Sequence, residues 1–125
     1  MAASCVSKER TGVPVVALSL GKPMPRVGFG TASATLGQAE GRAGVTEAVL
    51  SALSAGYRHF DTASAYNSEA AVGDAVIHAA AVRDDLYITT KLAITDAHPG
   101  RVLPALHKSL RLVLAIATHT AHRSV

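Results

Sequence analysis

Three side chains that could share one proton-transfer site lie along the middle of the chain. Asp61 closes the run Gly56-Tyr-Arg-His-Phe, Tyr66 follows it, Glu69 adds a second acid, and Lys91 ends the later run Asp85-Leu-Tyr-Ile-Thr-Thr. A carbonyl that accepts hydride develops negative charge on its oxygen, and an acid within hydrogen-bond reach must protonate it. The Tyr66 phenol is a donor of that kind. A free phenol titrates near ~10, so a neighbouring ammonium is needed to bring it toward working pH. Lys91 can supply that charge, and Asp61 can hold it in place. Taken singly, Asp61 also suits a turn or helix cap, Tyr66 a half-buried packing ring and Lys91 a solvated strand end, so the chemistry needs the three together.

The elements around them must bring them to one place. Residues 15–20 are a β-branched run broken by Gly21, Pro23 and Pro25, which predicts a strand and a turn, and residues 26–31 form a second short apolar run closed by small residues. A loop over 33–41 precedes a helix over 42–55, where Val45, Ala48, Val49, Ala52, Leu53 and Ala55 recur at helical spacing and Gly56 stands at the cap position. Residues 57–61 read as a strand, 68–81 as a helix through Ala71, Val72, Ala75, Val76 and Ala79, and 86–91 as a strand. After a loop with His98, Pro99 and Gly100, residues 101–112 form a third helix carrying Val102, Leu103, Leu106 and Leu110. This alternation predicts βαβ units and a parallel sheet covered by helices. Asp61 and Lys91 then occupy C-terminal strand ends, which share one face of such a sheet.

Composition narrows the class. With 125 residues there is room for one domain, and 49% hydrophobic content against 4% aromatic predicts a core of Ala, Val, Leu and Ile. The charge of +3 is scattered from Lys8 to Arg123 without a basic block, so no nucleic-acid partner is expected. Cys5 is the single cysteine, no apolar run approaches a membrane span, and no targeting segment is evident, which together predict a soluble cytoplasmic chain without disulfides. Residues 1–14 read as a disordered N-terminus. His119 and His122 stand three apart but lack an accompanying carboxylate or thiol, so no metal is assigned. His59 and His78 read as structural, His98 as a loop residue and His107 as solvent-facing, while Lys22 and Arg58 lack the glycine-rich turn of a phosphate site.

The motif GYRHFDTASAYNSEAAVG resembles the first signature of the aldo-keto reductases, and DLYITTKL resembles that family's catalytic-lysine strand. The likeness runs from about residue 15 to 111, and DAHPGRVLPALHKSLR is similar to the plant branch with chalcone, codeinone and deoxymugineic-acid reductases. The resemblance implies an α/β fold: an N-terminal β-hairpin over 15–26 and the first three to four strands of an (α/β)8 barrel, incomplete because such barrels close at ~250 residues. It implies NADPH as cofactor and reduction of aldehydes or ketones. By position, Tyr66 is the general acid, Lys91 its partner and Asp61 the carboxylate beside the nicotinamide ribose, with Gly30, Thr31 and Ala32 along the nicotinamide half. The family's catalytic histidine is expected near Ser124, where the chain instead reads LVLAIATHTAHRSV after Arg111. A frame change or alternative splice end would produce that divergence, which comparing transcript with genomic locus tests. The chain is therefore expected to be inactive alone, with association with full-length reductases through an open sheet edge, or an unstable product without function, as the alternatives, and its substrate and oligomeric state are not readable.

Overall fold

The computed structural model describes residues 12–33 and 39–113. The first element is a two-stranded antiparallel hairpin, β1 (Val15–Val16) with β2 (Met24–Pro25), extended by Arg26 N–H donating to the Pro14 carbonyl at 2.8 Å. The predicted strand over 15–20 is thus much shorter. Its second half belongs to the connection, where Gly21 takes φ +83, and Pro25, assigned to a turn by sequence, pairs on an edge where its missing N–H is harmless.

Three parallel strands follow in sequence order: β3 (Phe29–Gly30), β4 (His59–Asp61) and β5 (Tyr87–Thr89). Helix α1 (Ala39–Ser54) connects the first two, α2 (Glu69–His78) the second two, and α3 (Val102–Val113) packs against α2. Among the described residues, β3 and β5 each pair on one side only. The pairing continues past the strands, with Thr62 N–H donating to the Thr89 carbonyl and Ser64 N–H to the Lys91 carbonyl, so the segments carrying Asp61 and Lys91 run side by side.

Val45, Val49, Ala52 and Leu53 of α1 and Ala71, Val72, Ala75 and Val76 of α2 bury against Phe60 and Leu86. The aromatic content is low but central, a point the composition hid: Phe60 is fully buried and Phe29 meets both Tyr57 and Phe60 edge to face. Helix α1 begins upstream of the expected start and incorporates Gly41 and Gly44, with Gly41 buried, so packing outweighs glycine's weak helix propensity.

Both α1 and α2 end in the same reverse turn. After α1, Gly56 N–H donates to Leu53 O and Tyr57 N–H to Ala52 O, with Gly56 at φ +97. After α2, Ala80 N–H donates to Ile77 O and Ala81 N–H to Val76 O, with Ala80 at φ +47. These are Schellman closures, and they stop α2 short of the predicted Ala81. Gly73 marks the α2–α3 contact, because a Cβ there would run into the Leu112 carbonyl oxygen.

Helix α3 departs most from expectation. It buries Ser109 and Val113, while Val102, Leu103, Leu106 and Leu110 are 41 to 63% exposed. At about 3.6 residues per turn these four share one side of the helix. Its last turn therefore meets α2 at Gly73, and these four apolar residues are open.

His59 links the hairpin to the sheet, with Nδ1 donating to Pro25 O at 3.0 Å and Nε2 3.3 Å from Thr89 Oγ1. Lys22 adds a second tie by donating to the carbonyls of Asp84 and Leu86. No helix among the described residues is long and apolar enough to cross a membrane. Cys5, His119, His122 and residues 1–11 of the stretch 1–14 expected to be disordered lie outside the described residues.

Candidate active site

The C-terminal end of β4 places Asp61, and the chain then turns through a single 3₁₀ turn at Ser64–Tyr66. Asn67 closes it at φ 54, a left-handed conformation that asparagine tolerates better than most residues, with its N–H donating to Ser64 O. That turn swings the Tyr66 ring back over the strand ends. Lys91, just past β5, reaches across from the neighbouring strand.

Lys91 Nζ donates to Asp61 Oδ2 at 2.7 Å, to the Thr62 carbonyl at 2.9 Å and to Tyr66 Oη at 3.4 Å, and lies 4.8 Å from the centre of the Tyr66 ring. The three residues named from sequence thus meet at one atom. The hydrogen bond it donates to Asp61 raises the Lys91 ammonium above its ordinary 10.5; partial desolvation opposes this and the Tyr66 hydroxyl adds to the rise. Lys91 therefore stays cationic beside the phenol at working pH. The Lys91 and Asp61 side chains are 46% and 40% exposed, so the pair faces outward and contributes little to folding.

Gly30 lies opposite Asp61 in the parallel register and is exposed, with nothing within 4 Å of where a Cβ would stand. Ala32 is exposed beyond it. Thr31 differs: its side chain turns inward, 3% exposed, and donates to the Asp61 carbonyl at 3.1 Å.

Beneath the trio lies a polar layer that sequence reasoning missed. Thr31 Oγ1, Ser68 Oγ and Thr62 Oγ1 are linked by two contacts of 2.9 Å, with Ser68 and Thr62 fully buried. Glu69, 3% exposed, accepts a hydrogen bond from Thr90 Oγ1 at 2.6 Å, next to Lys91. The only sequence signal was Ser68 at a helix start, which reads as a cap. A cavity lined by Leu53, Arg58, Ala80, Asp85 and Leu86 opens at the opposite ends of the strands, away from these groups.

The family model described as Aldo/keto reductase family matches residues 26–114. The NADPH-dependent codeinone reductase 1-4 of Papaver somniferum is 46% identical over 108 residues, covering 82% of this chain and 33% of that protein. The 7-acetyl-epi-neemfruitin B aldo-keto reductase of Melia azedarach is 48% identical over 109 residues, covering 82% and 32%. A Bombyx mori aldo-keto reductase crystallised with NADP superposes with a TM-score of 0.72 at 36% identity, covering 81% of this chain and 34% of that one. The chain thus spans about a third of the length of these relatives. On the match over residues 26–114, this chain belongs to the aldo/keto reductase family.

Proposed function

We propose that the chain carries the acid–base part of an NADPH-dependent carbonyl-reductase site, acting on a small aldehyde or ketone. The observation behind this reading is the single Lys91 ammonium bonded at once to Asp61 and to the Tyr66 hydroxyl. In this reading Asp61, exposed Ala32 and the open surface over Gly30 would receive the ribose and nicotinamide half of the cofactor. When bound, NADPH supplies a hydride. Tyr66 holds the proton that a carbonyl oxygen would take up, the adjacent Lys91 charge favours its release, and Asp61 fixes Lys91.

In the isolated chain this pair faces water, and a site that does not exclude water forgoes the strong electrostatics of a closed one. The isolated chain is therefore expected to hold the proton machinery without turning over. Replacing the matching segment of the poppy reductase with residues 26–114 tests the reading: the chimaera should reduce a carbonyl with NADPH, and Tyr66→Phe within it should lower kcat by roughly 100-fold or more. An inactive but folded chimaera would overturn the proposal. NADPH oxidation by the isolated chain, above its own Tyr66→Phe control, would overturn the expected inactivity.

A second reading is that the chain associates with intact family members. It is favoured by the open leucine arc of α3 and by the one-sided pairing of β5 among the described residues. Co-purification with a full-length reductase that is lost in Leu106→Glu supports it; a monomer unaffected by added reductase counts against it.

A further inference from the structure

The hydroxyls beneath the acid–base trio can be assigned proton by proton. Each carries a single hydrogen. Thr31 Oγ1 donates its proton to the Asp61 carbonyl, an acceptor without hydrogens, at 3.1 Å. In the 2.9 Å contact between Thr31 and Ser68, Ser68 must therefore be the donor. Its one proton is then committed, so in the 2.9 Å contact between Ser68 and Thr62 the donor must be Thr62. The chain of donation runs Thr62 to Ser68 to Thr31 to the Asp61 carbonyl, in that direction only. That carbonyl also accepts from Thr31 N–H at 3.0 Å, which fills both its lone pairs.

The path starts at Thr62 and ends at Asp61, so it loops back onto one peptide unit. Lys91 bonds the groups on either side of that unit, the Asp61 carboxylate before it at 2.7 Å and the Thr62 carbonyl of the next peptide at 2.9 Å. The peptide itself is thus held by Thr31 at the end of the hydroxyl chain, and its orientation sets where the two oxygens that flank it meet the ammonium. Ser68 occupies the N-cap position of α2, where a serine hydroxyl ordinarily accepts from a first-turn N–H, yet it makes no such cap bond. Its hydroxyl serves the strand end instead, and the three oxygens lie in residues at most 3% exposed, where a lost partner is costly.

We propose that Thr62, Ser68 and Thr31 form a one-directional chain of buried hydroxyls that fixes the Asp61–Thr62 peptide and, through it, the Lys91 ammonium, making Ser68 a positioning residue for the site. Its meaning for catalysis rests on the carbonyl-reductase reading; the positioning itself does not. Loosening the peptide misaligns both oxygens that hold Lys91, and a less firmly held ammonium gives up its proton more readily.

Reductive methylation of the full chain, read at each lysine by peptide mass spectrometry, tests this. Lys108, exposed on α3, is the internal reference. Ser68→Ala and Thr62→Val should speed modification of Lys91 relative to Lys108 by roughly two- to tenfold, the span of one lost hydrogen bond. Thr62→Ser, which keeps the hydroxyl, should restore the original ratio. Unchanged ratios in folded Ser68→Ala and Thr62→Val would overturn the proposal, as would Thr62→Ser behaving like Thr62→Val. If Ser68→Ala does not fold, the Thr62 pair decides. Unfolding of Thr62→Val counts against the proposal, since the hydroxyl would then serve the fold rather than the site. Asp61→Asn frees Lys91 whether or not the hydroxyls act, so it checks the readout, and the chimaera assay judges the reductase reading separately.

Discussion

The Lys91 ammonium is the hinge of the site, and its titration gives a signed prediction. Asp61 raises its folded-state pKa above the ordinary 10.5, so the folded chain holds this proton more tightly than the unfolded chain. That contribution is fully present below 10.5 and is lost as pH rises through the higher folded value. Unfolding Asp61→Asn beside the parent chain in denaturant should show a stability gap that is level from neutral pH upward and narrows beyond 10.5. A gap that widens there would contradict the assignment. Asp61, Tyr66 and Lys91 were legible in the sequence because an acid, a phenol and an amine at strand ends have few other reasons to recur together. Ser68, Thr62 and Thr31 were not, because a hydroxyl among small polar residues looks the same whether it caps a helix, lines a turn or is sealed beneath a strand. Only burial against residues distant in the chain separates these cases.

Elements were legible where spacing alone decides. The apolar period of Val45, Val49, Ala52 and Leu53 located α1, and that of Ala71, Val72, Ala75 and Val76 located α2. Their ends depended on local backbone geometry. Gly56 announced its left-handed turn, whereas Ala80, which makes the same turn, gave no sign of it. A left-handed alanine is strained, so Ala80→Gly should raise stability by about 0.5 kcal/mol after glycine's greater unfolded freedom is deducted. Unfolding in urea measures this, and a loss of stability would refute it. Gly73→Ala works the other way. Its new methyl meets the Leu112 backbone, which must shift, so the variant should lose about 1–3 kcal/mol and perturb α3 amide resonances first. For α3, periodicity showed an amphipathic helix but could not say which arc α2 would cover. Gly73 allows a close approach of Leu112 and Val113, Ser109 and Val113 are buried, and Leu103, Leu106 and Leu110 stay outside.

For the whole molecule, the exposed arc of Leu103, Leu106 and Leu110 governs solution behaviour more than folding. Replacing Leu106 and Leu110 with glutamine should change unfolding free energy by no more than about 0.5 kcal/mol each, as for most surface positions. The same replacements should markedly reduce light scattering by concentrated protein, and undiminished scattering would place the adhesive surface elsewhere. The parallel order β3–β4–β5 has a different consequence. Because the strands pair in the order in which they occur, the side-chain bonds described above that join Thr31, Asp61, Tyr66, Glu69, Thr90 and Lys91 all fall between residues 31 and 91. Each closes a segment of 30 residues or fewer, and the entropic cost of closure grows only slowly with length. During synthesis, then, all three side chains of the trio and the hydroxyls beneath them have left the exit tunnel once Lys91 clears it.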